Sequence, residues 1–258
     1  MTKALRAGSI SVFFPAFNDE KTIARMVTDA LALLPALADD YEVIIINDGS
    51  ADRTAAALDE LARTQPHVRA VHHPRNRGYG AALRTGFASA TKELIFYTDG
   101  DGQYDVRELA KLLPLMTNKV EVVNGYKLKR ADRRRRIVIG AFYNRLARWL
   151  FRLPIRDVDC DFRLLRRSIF DRVSLETSSG VICLEMMKKI QDAGFRITEV
   201  PVHHYHRAYG RSQFFNFRRL FRTGIDVLKL WVALVVHREH RRQSAPSAAT
   251  VPRPGNHA

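Results

Sequence analysis

Three short apolar runs in the first hundred residues each break off into a polar turn that carries carboxylates. Ile10 to Phe14 leads into Pro15-Ala16-Phe17-Asn18-Asp19, and Tyr41 to Ile46 into Asn47-Asp48-Gly49-Ser50. Leu94 to Tyr97 leads into Asp99-Gly100-Asp101-Gly102-Gln103. Such runs predict buried strands, the first of them stopped by Pro15. The stretches between them predict helices: one capped by Asn18 or Asp19 and running to about Leu37, then Thr54 to Arg63 and Ala81 to Ala90. Val68 to Val71 and Glu121 to Val123 read as further strands, and Val106 to Met116 as a helix. Strands alternating with crossover helices make an α/β fold: a Rossmann-like, mostly parallel sheet with helices on both faces. Ligands of such sheets bind beyond the carboxyl ends of the strands, where the three polar turns gather.

The Asp99 turn has the sharpest chemistry. Residues of alternating parity share one side of an extended chain, so Asp99, Asp101 and Gln103 are expected to face one way. Two carboxylates and an amide oxygen suit Mg²⁺ or Mn²⁺, with substrate phosphates and water completing the shell. An acidic turn closing a strand would explain the pattern alone. Two similar turns at the same edge favour a site.

The second half changes character. Arg130 to Arg136 is strongly basic, and a helix over about 133–153 follows. On it Val138, Phe142, Leu146, Trp149 and Leu153 form an apolar stripe beside Arg145, Arg148 and Arg152. A helix predicted from Leu184 to Ala193 precedes a strand from Arg196 to Val202. His203, His204 and His206 follow the strand without the further spaced ligands that zinc needs, so structural or phosphate-contacting roles are expected. Residues 216–240 form a second amphipathic helix, and 241–258 have the composition of a disordered tail. Neither a signal peptide nor a membrane-crossing stretch is expected, because Leu220 to Val236 is interrupted by Arg222, Asp226 and Lys229. The chain carries 42 Lys+Arg against 27 Asp+Glu, a net charge of +15, which calls for an anionic partner. A basic amphipathic helix with Trp and Phe on its apolar face suits an anionic lipid surface. Nucleic acid is not expected, since no nucleic-acid-binding motif accompanies the charge. Two cysteines give no disulfide framework and suit a reducing compartment.

Taken in order, these motifs resemble the inverting glycosyltransferases of family 2, which have the GT-A fold, and among them the polyprenol (dolichol) phosphate mannosyltransferases and glucosyltransferases. Asn76-Arg-Gly-Tyr-Gly, Asp157-x-x-Cys-Asp-Phe-Arg163, Glu199-Val-Pro-Val and Arg207-Ala-Tyr-Gly-Arg-Ser212 complete the set. The resemblance covers roughly Ser9 to Phe215 and implies a transferase domain over 1–215. It implies that Pro15, Phe17 and Asp19 line the nucleotide pocket, that Asp48 meets the nucleoside, and that Asp99, Asp101 and Gln103 hold the metal. Arg207, Arg211 and Ser212 would grip the donor diphosphate, although Gln213 stands where the family often has Lys. Asp157 aligns with a carboxylate near the acceptor, and Asp101 joins it as the second catalytic assignment. Asp159 and Asp161 stand where Thr and Gly are common. Arg134 and Arg145 are assigned to the acceptor phosphate, and Glu185 to the acceptor side or to helix packing. The implied activity is metal-dependent, inverting transfer of a hexose from a GDP-mannose- or UDP-glucose-type donor to a polyprenyl phosphate. It would take place at the cytoplasmic face of a membrane, by a peripheral protein with room for a separate membrane-anchoring partner. The alternative is a family 2 transferase with a glycan or another lipid as acceptor.

Overall fold

A computed structural model describes residues 6–128, 134–207, 209, 217–238 and 240. The expected strand–helix alternation builds the first half. It comprises β1 (Ala7–Ala16), α1 (Ile23–Leu37), β2 (Ala38–Asn47), α2 (Thr54–Thr64), β3 (Val68–His72), α3 (Tyr79–Ser89) and β4 (Leu94–Thr98). The second half adds α4 (Leu109–Leu112), β5 (Val122–Lys127), α5 (Arg134–Phe151), β6 (Phe162–Arg166), α6 (Ile182–Asp192), β7 (Ile197–Val202) and α7 (Phe217–Trp231). One seven-stranded sheet has the order β3-β2-β1-β4-β6-β5-β7. Every pairing is parallel except those of β6, which runs antiparallel between β4 and β5. One apolar cluster lies on each face, around Phe14, Leu34 and Phe96 on one side and Phe13, Leu83 and Met186 on the other.

Several local expectations are corrected. Pro15 does not end β1; it pairs with Ile46 inside the ladder. Its carbonyl accepts from Gly100 N–H at 3.1 Å, so its missing N–H faces β4, beyond the last β1–β4 pair at Phe13 and Tyr97. The β2 ladder therefore loses nothing. Neither Asn18 nor Asp19 caps α1, which starts at Ile23 after Thr22 without a side-chain cap bond. The helix expected over Val106 to Met116 is broken into a 3₁₀ turn, the single α-turn of α4 and a second 3₁₀ turn holding Pro114. Proline near that position removes a donor and crowds the preceding turn.

The strand β6 was not expected from the sequence. Phe162-Arg163-Leu164-Leu165 places an arginine where a core strand would be apolar, yet Arg163 is fully buried. Its Nε donates to Asn124 Oδ1 (2.7 Å) on β5 and its Nη2 to the Val158 carbonyl (2.5 Å). Its Nη1 reaches the Tyr97 hydroxyl on β4 and Asp161 Oδ1 (3.3 Å). A buried cation is tolerated only when its donors are met in this way. Asn124 in turn donates to the Asp157 carbonyl (3.1 Å) and to Glu199 Oε1 (3.2 Å) on β7. The side chain is thus the junction of three strands and the 157–161 segment. Arg163→Ala, which orphans these acceptors, should cost about 3–5 kcal/mol in chemical denaturation. A loss under about 1 kcal/mol would show that the junction is not needed.

Candidate active site

The turns after β1 and β2 are laced together by each other's side chains. Asn18 N–H donates to Ser50 Oγ (3.0 Å) and Asp19 N–H to Thr54 Oγ1 (3.0 Å). In return Ala51 N–H donates to Asn18 Oδ1 (2.8 Å) and Arg53 N–H to Glu20 Oε2 (3.0 Å). The polar residues that mark these turns in the sequence serve first to satisfy loop backbone at the sheet edge. Asp48 shows this most clearly. Its Oδ1 meets His73 Nδ1 (2.7 Å) and Arg77 N–H (2.9 Å), and its Oδ2 accepts from Gly78 N–H (2.9 Å). The residue expected to meet the nucleoside is buried and shapes the 73–78 loop, with Oδ2 retaining acceptor capacity.

At the end of β4, Asp99 Oδ1 accepts from the Tyr79 hydroxyl (2.7 Å). Asp101 Oδ1 accepts from Gln103 N–H (3.0 Å), and its Oδ2 lies 3.1 Å from Arg207 Nη2. The same guanidinium nitrogen is 3.7 Å from Asp19 Oδ1, and Asp19 Oδ2 accepts from Phe17 N–H (2.9 Å). Arg207 Nε is buried without an acceptor among the described residues. The β4–β6 ladder ends at Thr98 and Phe162, so Asp99 and Asp161 leave it at the next step side by side.

Gln103 departs from its expected place. Its amide nitrogen donates to the Tyr205 carbonyl (3.1 Å) and lies 3.3 Å from His204 Nε2, while Tyr205 N–H donates to the Gln103 carbonyl (2.8 Å). It binds the strap after β7 rather than joining Asp99 and Asp101. His203 helps, with Nδ1 2.5 Å from Glu108 Oε1, and His204 packs edge-on against Tyr104. Both histidines thus make contacts within the fold.

The carboxylates crowd one another. Burial pushes the Asp99 carboxyl well above the usual range, and the charges of Asp161 and Asp101 push it further. Asp101 is raised chiefly by burial, with Arg207 pulling the other way. Burial, with Asp101 and Asp52 adding, raises Asp19 to about 6 against the opposing Phe17 N–H and Arg207. Asp161, weighted below Asp157 in the sequence reading, is the carboxylate whose charge acts most strongly on Asp99. Asp157 is buried and paired with Lys127 (3.4 Å to Nζ), which also donates to the Asp159 carbonyl. Among the described residues no group of three His, Cys, Asp or Glu side chains forms a ready-made metal site. Hard oxygens with unbalanced negative charge nonetheless fit a divalent cation held by Asp99 and Asp101, since Mg²⁺ commonly uses one or two carboxylates plus substrate phosphates.

Of the two roles expected for Glu185, its contacts match the packing one. It is 1% exposed and accepts from Glu176 N–H, Thr177 N–H (each 2.9 Å) and Lys189 Nζ (2.7 Å). It anchors the loop before α6. Of the arginines, Arg145 is exposed on α5, while Arg134 lies in α5 with its side chain outside the described set. Arg211, Ser212 and residues 241–258 lie outside the described residues.

The outer side of α5 and α7 forms a second feature. Val138, Phe142 and Trp149 of the expected stripe are 68%, 69% and 74% exposed, whereas Ala147 and Phe151 face the core. Leu153 is a correction: it lies past the helix end and is buried. Phe221 and Leu228 are similarly exposed on α7, and Trp231 Nε1 of that helix donates to the Leu150 carbonyl of α5 (3.1 Å). An open groove of about 740 Å³ on α5 is lined by Phe142, Asn144, Arg145, Arg148, Trp149 and Leu153. Among the described residues no helix is long and apolar enough to cross a membrane.

Comparison with known proteins gives concordant results. The model of glycosyl transferase family 2 matches residues 11–174. The chain is 31% identical over 236 residues to glycosyltransferase AglD of Haloferax volcanii, covering 88% of this chain and 38% of that protein. It is 28% identical over 233 residues to the undecaprenyl-phosphate 4-deoxy-4-formamido-L-arabinose transferase of an Enterobacter species, covering 88% and 69%. The chain thus spans well under half of the first relative's length and about two thirds of the second's. In structure it is similar to glucosyl-3-phosphoglycerate synthase of M. tuberculosis, with TM-score 0.65 and 20% identity over 87% of this chain and 80% of the other. A complex of that enzyme with Mn²⁺, uridine diphosphate and phosphoglyceric acid gives TM-score 0.63 and 19% identity over 93% and 80%.

The raised Asp19 carboxyl has a consequence for stability. A carboxyl with a folded pKa above its ordinary 3.8 destabilises only once ionised, so the penalty is absent below that pH and complete above about 6. Asp19→Asn retains an acceptor for Phe17 N–H. It should stabilise the fold by up to about 3 kcal/mol near pH 8, with the gain vanishing toward pH 3.5. Denaturation curves at the two pH values measure this, and an equal gain at both would refute the origin in charge.

Proposed function

We propose that this chain, which belongs to glycosyl transferase family 2, transfers a hexose from a nucleotide sugar to a polyprenyl phosphate, with inversion, at an anionic membrane face. Family and fold make it a glycosyltransferase of the GT-A type. The donor, the cation and the acceptor are our assignment. The observation that carries it is the meeting of Asp99, Asp101 and Arg207 at the carboxyl end of the sheet, where carboxylates repel one another beside an arginine with an unmet donor.

Asp99 and Asp101 would hold Mg²⁺ or Mn²⁺, which when bound supplies Lewis-acid compensation for charge on a departing diphosphate. A structural neighbour crystallised with Mn²⁺ and uridine diphosphate supports the choice of a divalent cation beside a nucleoside diphosphate. Pro15, Phe17 and Asp19 shape the nucleotide side, and the remaining Oδ2 acceptor of Asp48 is the atom left for a base or ribose donor. Arg207 Nε offers a phosphate oxygen the hydrogen bond it lacks in the chain itself, a charge-assisted contact. Arg211 and Ser212 follow in the same segment and are assigned to the diphosphate as well. In the transfer a phosphate oxygen of the acceptor forms its bond to the anomeric carbon while the bond to the donor diphosphate breaks, the electron pair leaving with the nucleoside diphosphate. A lipid monophosphate is largely dianionic near neutral pH, its second pKa being about 6, so the attack needs no strong base. Asp157, fixed by Lys127, therefore steadies the acceptor side instead of removing a proton.

The acceptor assignment draws on the outer side of α5 and α7. Exposed Phe142, Trp149, Phe221 and Leu228 beside Arg145, Arg148, Arg152, Arg222 and Lys229 match an anionic bilayer in both apolar area and charge. A symmetric contact between two copies would set the arginines against themselves. Asn144, at the edge of the α5 groove, also donates to the Arg156 carbonyl (2.7 Å) and accepts from Val158 N–H (3.0 Å). That links the lipid-facing helix to the segment bearing Asp157. One relative is named for an undecaprenyl phosphate substrate. With the protein on the inner, cytoplasmic face, Arg134 and Arg145 would receive the acceptor phosphate.

Two measurements test this. Mn²⁺ together with UDP- or GDP-sugars should raise the melting temperature of the wild type, by about 2.7 kcal/mol of stability at 100 times Kd, and neither should do so in Asp101→Ala. Asp101→Ala should also abolish transfer, and turnover close to wild type would refute the metal assignment. Separately, wild-type protein should float with anionic liposomes at low salt, and Arg145→Glu/Arg148→Glu/Arg152→Glu should not, since each basic residue contributes about 1 kcal/mol at such a surface. Wild type that stays in solution would move the acceptor to a soluble glycan.

A further inference from the structure

We propose that Tyr79 is a positioning residue for Asp99: its hydroxyl fixes one carboxylate oxygen so that the other is presented to the cation and donor diphosphate. This rests on the donor assignment above but concerns a residue that assignment does not use. Tyr79 lies in Asn76-Arg77-Gly78-Tyr79-Gly80, which in the sequence reads as a turn into a helix. In the structure it opens α3, and its O–H donates to Asp99 Oδ1 at 2.7 Å.

The backbone on either side of Tyr79 is held closely. Gly78 N–H donates to Asp48 Oδ2 and Gly80 N–H to the Ser178 carbonyl, both at 2.9 Å. A Cβ on Gly78 would stand 2.6 Å from the Ser178 carbonyl oxygen, and one on Gly80 2.5 Å from that of Thr177. Only glycine lets the first turn of α3 rest on the 177–178 backbone. That backbone is fixed from behind by Glu185 through Glu176 and Thr177 N–H, and from α3 itself by Arg84 Nη1 to the Glu176 carbonyl (2.8 Å). A line of contacts therefore runs from Glu185 through the 176–178 loop and the first turn of α3 to the Tyr79 hydroxyl.

Asp99 needs such a partner because it stands just past the end of β4, where the ladder no longer restrains it. A carboxylate there would rotate and exchange its two oxygens. A donor seated on Oδ1 removes that freedom and leaves Oδ2 for a ligand. Partners of this kind, behind a ligating carboxylate, set its orientation and affinity. Asp101 has a comparable partner in Gln103 N–H on its Oδ1, while its Oδ2 faces Arg207 at 3.1 Å.

The test is Tyr79→Phe, which keeps the ring and removes the donor. Free Mn²⁺ is titrated by electron paramagnetic resonance in the presence of UDP, and again with GDP, on wild type, Tyr79→Phe, Asp99→Ala and the double variant. The melting temperature of each is recorded without ligands. Tyr79→Phe should lower Mn²⁺ affinity by about 10- to 100-fold. In the Asp99→Ala background it should have no further effect, because it acts through Asp99. A purely structural contribution would instead lower affinity by the same factor in both backgrounds, and that result overturns the inference. So does equal affinity in wild type and Tyr79→Phe, which leaves the donor assignment standing. Wild type that takes up Mn²⁺ with neither nucleotide overturns the donor assignment and this inference together.

Discussion

The guanidinium of Arg163 is the interaction on which the geometry of the second half depends. Burying an arginine is worthwhile only where several acceptors converge, and here they come from β4, β5 and the 157–161 segment. That convergence secures an antiparallel strand in the middle of an otherwise parallel sheet. Because β6 runs backwards, its start lies beside the end of β4, which brings Asp161 next to Asp99. The charge that joins the strands thus sits directly behind the carboxylates of the site. Asp161 accepts from Arg163 and from the Cys183 thiol (2.9 Å), and its charge pushes the Asp99 carboxyl up.

Stability and function pull in opposite directions at this edge. Asp19, Asp99 and Asp101 are all raised by burial, with neighbouring carboxylates adding to it, so their charges are unfavourable where they stand. Arg207 relieves part of it, reaching Asp101 and Asp19 from the strap after β7. The strap is held by backbone and side-chain bonds to Gln103 and Glu108, so that cation is delivered by the fold. A site repelling itself in this way favours any ligand that brings positive charge.

The first half of the fold was legible because its strands are apolar runs with polar ends, and periodicity suffices for such elements. The antiparallel strand was not legible, since Arg163 interrupts the apolar pattern and its partners are 39 and 66 residues away at Asn124 and Tyr97. A signal did exist in the three apolar residues around that arginine. The position of the carboxylate turns was clear, but the direction of each side chain was not. Gln103 turns to a strap that begins about a hundred residues later, and Glu185 to a loop whose need for an anchor no local pattern reveals. Conversely, the exposed stripe on α5 could be read from spacing alone, because a helix displays its residues in sequence order.

The lacing of the 17–20 and 47–54 turns also bears on how such a chain can change over generations. Each turn supplies acceptors for the other's backbone N–H groups, so altering Asn18 strands the amide of Ala51, and altering Ser50 strands that of Asn18. Both bonds lie at the exposed surface, where water can take the place of a lost acceptor, so each is worth about 0.5–1.5 kcal/mol. Single steps in either turn are therefore penalised, while paired replacements that restore both bonds are not. The two turns are one heritable unit written in two places, and a new donor preference would have to be reached by substitutions made in both.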